Sequence, residues 1–193
     1  MGQTEKTLIR AQRLVDYTSE RLMRLCNATQ LAEDASKIVT TYRKLLDPWG
    51  LTRMDVTSDW VSEISDDNAP VEFSVTLAEG KVEVRALLEA QGDEPTLSSY
   101  RTAGMEYTER LGQQFGADLE RYHLLKDLFL PADMQGPFAV WHSVVFAAGK
   151  APAFKAYFNP QAHGPENAEG LVREALDRLG MPNAWASLSR SAV

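Results

Sequence analysis

The sequence predicts an α+β fold built from repeated ααββ units around an antiparallel sheet, in one domain spanning residues 1–193. Three observations lead there. Hydrophobic spacing switches twice from the helical period to strict alternation and back. Each alternating stretch is broken by a glycine-containing turn, at Glu79-Gly80 and around Ala148-Gly149-Lys150, as antiparallel hairpins require. The whole pattern recurs after about 70 residues, which marks an internal repeat.

Taken in order, Leu8, Ala11, Leu14, Val15, Leu22, Leu25 and Cys26 fall at helical spacing, with polar residues between them. A second stripe follows at Leu31, Ala35, Ile38, Val39, Tyr42, Leu45 and Leu46, closed by the turn cluster Asp47-Pro48-Trp49-Gly50. Residues 5–46 therefore read as two helices. Val71, Phe73, Val75 and Leu77 then alternate with Glu72, Ser74 and Thr76, the pattern of a half-buried strand. The return strand carries Val82, Val84, Ala86 and Leu88 on one face and Glu83, Arg85, Leu87 and Glu89 on the other. Helical spacing resumes over 96–115 and 117–129. The segments PFAVWHSVVFA and PAFKAYFNP form the second hairpin, and a further helix carries Ala168, Leu171, Val172, Ala175, Leu176 and Leu179. A short last helix covers 183–190. Trp60, Trp141 and Trp185 read as core residues.

Composition narrows the function. With 44% hydrophobic and 24% charged residues the chain is ordinary for a globular domain. A net charge of −7 argues against a nucleic-acid partner, which would call for clustered Lys and Arg. The lone cysteine, Cys26, builds neither a disulfide framework nor a zinc site and is expected to be buried and structural. No stretch approaches the run of about 18 apolar residues that a membrane helix needs. The amino terminus, MGQTEKTLIRAQR, has no apolar run of a signal peptide. A cytoplasmic location is expected.

Laid over each other, the hairpins match Gly80-Lys81 with Gly149-Lys150 and Arg85 with Lys155. Glu72 precedes Arg85 by thirteen residues, and His142 precedes Lys155 by thirteen. Across an even-length turn, an odd separation keeps both members of a pair on one face. Each repeat is thus expected to offer one proton-handling group and one cation on its polar side. An ordinary amphipathic sheet with a solvated polar face is the competing reading.

The stretch SDDNAPVEFSVTL (65–77) followed by VEVRALLEA (82–90) resembles the acidic-turn, P-x-E-x-S and R-x-x-x-E signatures of the dimethylallyltryptophan synthase family. FKAYFNP (154–160) is similar to that family's K-x-Y segment. The resemblance extends from about residue 50 onward and is carried by the order and spacing of the motifs together with the ααββ repeat. It implies an incomplete prenyltransferase barrel, with helices on the outer face of the sheet and the reaction in the lumen. It further implies transfer of a dimethylallyl group from dimethylallyl diphosphate, as substrate, to tryptophan or a related indole, with no cofactor and no obligatory metal. The sequence has no DDxxD-type run, and Asp66-Asp67 reads as a turn pair rather than a magnesium site.

On this resemblance Arg85 and Lys155 would bind the diphosphate and stabilise it as it leaves. Glu89 would orient the Arg85 guanidinium, and Tyr157 would shield the allyl cation or reach a phosphate through its hydroxyl. Glu72 would accept the indole N–H, and His142 would help remove the ring proton. A hydrogen-bonded structural histidine is the alternative for His142, and His123 and His163 are expected to be structural. At position 159 the family often carries a tyrosine, and this chain has Asn159. Two hairpins supply less than half of such a barrel. The expected partners are therefore the aromatic acceptor, the prenyl diphosphate, and a second copy or a complementary chain that completes the wall. A truncated product is the third possibility. The alternative function is an inactive barrel homologue that acts as a binding or assembly partner.

Overall fold

The computed structural model describes residues 12–47, 49–54, 62–66, 68–78 and 81–191. Trp60, Asp67, Leu8, Ala11 and the Glu79-Gly80 turn, all named from the sequence, lie outside the described residues. The chain divides into two compact units. One runs up to Gln91 and includes His142–Lys155; the other is Gly92–Trp141 together with the chain from Ala156 onward.

In the first unit, α1 (Leu14–Asn27) buries Leu14, Val15, Thr18, Leu22 and Cys26 along one stripe. Thr18 enters that stripe because its hydroxyl donates to the Leu14 carbonyl at 2.7 Å, so its own polar group is satisfied there. Cys26 is fully buried, and burial pushes its thiol pKa up. Helix α2 (Ala35–Leu45) turns Ala35, Ile38, Tyr42 and Leu45 inward. The Tyr42 ring meets Phe73 of the sheet at 5.6 Å, which places α2 against the apolar side of the first strand.

The sheet has the order β1-β2-β3-β4, formed by β1 (Val71–Ala78), β2 (Lys81–Leu88), β3 (Val140–Ala147) and β4 (Ala153–Phe158). The first two strands pair antiparallel from Val71↔Leu88 to Ala78↔Lys81. Neighbouring β2 and β3 pair antiparallel from Leu88↔His142 to Glu83↔Ala147. The β3–β4 connection is longer, covering 148–152. Its Gly149 takes φ +64°, a left-handed conformation that suits glycine, and its N–H donates to Asp34 Oδ2 at 3.0 Å.

In the second unit, α3 (Leu97–Phe115) opens with a Thr96 side chain accepting from the Ser99 N–H and stops at Gly116, φ +68°. Helix α4 (Glu120–Phe129) starts three residues later than its spacing predicts. The left-handed Gly116 breaks the chain direction, and Asp118 Oδ1 then accepts the Glu120 N–H at 2.9 Å. Helices α5 (Ala168–Arg178) and α6 (Trp185–Ser191) complete the unit. Its core gathers Tyr122, Leu125, Phe129 and Leu130 with Val140, Ala162, Leu171 and Ala175. Phe158 stacks on Phe129 at 5.0 Å and on Tyr122 at 6.0 Å. Trp141 and Trp185 are half-buried rather than core: Trp141 stacks on Phe138 at 3.9 Å, and Arg173 lies over the Trp185 ring at 4.7 Å.

Asn159 settles into this unit as a loop clamp. Its Nδ2 donates to the Phe138 carbonyl at 3.0 Å and the Gln135 carbonyl at 3.3 Å, and its Oδ1 accepts the Gln161 N–H at 2.9 Å. The residue is 2% exposed, and its amide is spent on closing the segment before β3.

Candidate functional site

Residues directly opposite each other in an antiparallel ladder share a face, so the registers decide which side each group takes. Val71, Phe73, Val75 and Leu77 stand opposite Leu88, Ala86, Val84 and Val82, and β3 adds His142, Val144 and Phe146 to that face. This is the helix side, marked by the Tyr42–Phe73 contact. The other face carries Glu72 opposite Leu87, Ser74 opposite Arg85, and Thr76 opposite Glu83. From β3 it takes Ser143 and Val145. We call it the polar face.

Glu72 and Arg85 therefore share the polar face, Glu72 exposed and Arg85 half-buried. The Arg85 Nε–H donates to Ser74 Oγ at 2.9 Å. Glu89 follows the strand, continues its ladder through an N–H donated to the Pro70 carbonyl at 3.0 Å, and is 2% exposed. Strand alternation sets it on the same face, four residues and about 13 Å along the strand from Arg85.

In β4, Phe158 stacks on Phe129 and Tyr122. Alternation turns Tyr157 and Lys155 to the side of β4 away from Phe158. Lys155 is exposed and Tyr157 half-buried. Arg85 and Lys155 stand on the strands flanking β3.

His142 does not join them, and the expectation that it shares a face with Lys155 is corrected. It pairs with Leu88 on the helix side and is 2% exposed. The expectation assumed an even-length turn. The β3–β4 connection, 148–152, has an odd number of residues, and a thirteen-residue separation across it puts the two side chains on opposite faces. Burial alone drives the His142 pKa down to about 3, so its imidazole is neutral throughout the physiological range.

Two polar-face residues escaped the sequence reading. Ser74 is the serine of the P-x-E-x-S stretch, but its place as the direct partner of Arg85 follows only from the β1–β2 register. Ser143 sits opposite Leu87 with 1% exposure, its Oγ lacking a hydrogen-bond partner among the described residues. The available signal was a serine interrupting the apolar run of β3, whose meaning depended on the β2–β3 register. Asp66 is exposed, and among the described residues no three His, Cys, Asp or Glu side chains gather as a metal site requires. No helix among them is long and apolar enough to cross a membrane.

With this geometry in place, comparison with known proteins is informative. Residues 20–191 match the family described as tryptophan dimethylallyltransferase. A solved structure named 6-dimethylallyl tryptophan synthase is 32% identical and superposes with a TM-score of 0.85 over 95% of this chain and 52% of its own. The 6-dimethylallyltryptophan synthase from Micromonospora olivasterospora, solved in complex with DMASPP and Trp, is 32% identical, TM-score 0.83, over 92% of this chain and 50% of its own. The 5-dimethylallyl tryptophan synthase from Streptomyces coelicolor, also in complex with DMASPP and Trp, is 30% identical, TM-score 0.80, with 92% and 50% covered. The chain spans about half the length of these solved relatives. Its ααββ arrangement is part of the prenyltransferase barrel fold.

Proposed function

We infer the function from one premise: the chain belongs to the tryptophan dimethylallyltransferase family. The activity proposed for it is transfer of a dimethylallyl group from dimethylallyl diphosphate to tryptophan or a related indole. Relatives solved with DMASPP and Trp support both substrates. The observation that carries the site is the register that sets Glu72 and Arg85 on one face of the sheet.

In this reading the allylic C–O bond ionises and its electron pair leaves with the diphosphate. Arg85 and Lys155 meet the negative charge that develops there, and Arg85 suits a bidentate phosphate contact. No metal ion is needed for that role. Tyr157, beside Lys155 on its face, shields the allyl cation. Glu72 accepts the indole N–H, which enriches the ring and holds it for attack; the new C–C bond forms and the ring C–H proton is lost to a base. Glu89 supports this wall from its buried position beyond Leu87. His142, neutral and packed against the helix side, is assigned to the packing of β2 on β3 rather than to that proton.

The rest of the barrel wall comes from further chain, a second copy or a complementary chain, and residues 1–193 act as one domain within it. A cytoplasmic setting suits the single buried cysteine. The test is incubation with dimethylallyl diphosphate and tryptophan, with mass spectrometry for the prenylated product and a thermal-shift titration of the diphosphate substrate. Stabilisation that disappears in the Arg85→Ala, Lys155→Ala double variant is the expected result. No shift at millimolar ligand would remove the catalytic reading for this chain by itself.

A further inference from the structure

Ser143 lies on the polar face of β3 at 1% exposure, and its Oγ has no hydrogen-bond partner among the described residues. A hydroxyl hidden from water and left unmet is a cost that alanine, of nearly the same volume, would avoid. That cost disappears when a bound molecule supplies the missing polar atom.

The ladders narrow the choice of molecule. Leu87 stands opposite Glu72 on one side and opposite Ser143 on the other, so the three form one rung across β1, β2 and β3. Leu87 is half-buried, as is Val145 two residues along β3, so apolar surface beside the hydroxyl is open to a ligand. The backbones of Glu72 and Ser143 are two strand spacings apart, about 10 Å. A molecule bonded at both ends needs polar atoms at least about 4 Å apart, with apolar surface between them for Leu87. An indole whose one polar atom is the ring N–H leaves Ser143 unmet. Tryptophan adds an ammonium and a carboxylate on its side chain, and a hydroxyl accepts from the one or donates to the other.

We propose that Ser143 is a specificity-determining residue of the acceptor site: its hydroxyl meets the amino-acid group of tryptophan while Glu72 holds the ring N–H across Leu87. The inference rests on the reading that Glu72 accepts the indole N–H, and it adds a reason for taking the amino acid over a bare indole. Reaching a hydroxyl so enclosed requires a side chain on that face to turn aside, and half-buried Leu87 across the rung is placed to do so.

Calorimetric titration of the full chain with tryptophan and with 3-methylindole tests this. The second ligand keeps the ring N–H and lacks the amino-acid group. Ser143→Ala is expected to weaken tryptophan binding about tenfold, the scale of one hydrogen bond to a charged group, and to leave 3-methylindole within about twofold. The thermal midpoint of that variant without ligand should stay level or rise, since no partner inside the chain is lost. Equal losses for both ligands, or a midpoint several degrees lower, would show a packing role and refute the proposal. If Glu72→Gln weakens both ligands and Ser143→Ala weakens neither, Ser143 has no part in specificity and the acceptor reading stands. If Glu72→Gln binds both ligands as the parent does, or the parent binds neither, both fall.

Discussion

His142 gives the strongest physical prediction, because its burial converts pH directly into stability. In the unfolded chain the imidazole takes up a proton near pH 6.5; in the fold it stays neutral until about pH 3. Between those values the unfolded state binds more protons, so acid favours unfolding and stability falls as pH drops. Each pH unit below about 6.5 costs about 1.4 kcal/mol, which sums to about 2 kcal/mol at pH 5 relative to pH 8. Urea unfolding of the parent and of His142→Leu across that range isolates the effect, since exposed carboxylates titrate alike in both. Leucine is close to histidine in volume and lies among Leu88, Val140 and Val144 without a polar atom. The expected result is a parent that loses about 2 kcal/mol more than the variant on acidification. Parallel pH profiles, agreeing within about 0.5 kcal/mol, would mean that the imidazole is reached by solvent and that the burial of β3 described above is wrong. An NMR titration showing His142 protonated near pH 6 would refute it equally.

Two further outcomes follow from packing. Asn159→Ala should destabilise the chain by about 2–3 kcal/mol, because the Phe138 carbonyl and Gln161 N–H lose a buried partner; chemical denaturation measures it. Tyrosine at this position should fare no better, since the larger side chain cannot reproduce the amide's paired contacts. Gly104→Ala on α3 would drive a methyl group into Val140 Cγ1, and a loss of about 1–3 kcal/mol in the same measurement is expected, with helix content retained by circular dichroism.

Much of the fold was legible because it is local. The stripes of α1 and α2 are written in residues three and four apart, and both hairpins appear as alternation broken at a turn. Helix ends were less legible: the start of α4 depended on a left-handed glycine and on the Asp118 side chain that accepts the Glu120 N–H, rather than on spacing. The pairing of Glu72 with the Arg85 face could be read for a similar reason. The ladder runs without a break down to Ala78↔Lys81, so counting along the chain gives the register. Ser74 was visible as a polar position but not as the partner of Arg85, since that depends on which residue stands opposite which.

The sequence by itself determined the order of elements, the family motifs and the sidedness of the first hairpin, because hydrophobic period and the short spacing between its two strands leave no freedom in them. Only the tertiary structure decided the sidedness of β3 and the fate of Asn159. A strand's faces exchange with a shift of one residue, and the length of the 148–152 connection together with the pairing of β3 on β2 settles that shift. An amide's role likewise depends on which carbonyls the folded chain brings within reach, and Gln135 and Phe138 come to Asn159 only once β4 and the segment before β3 have packed.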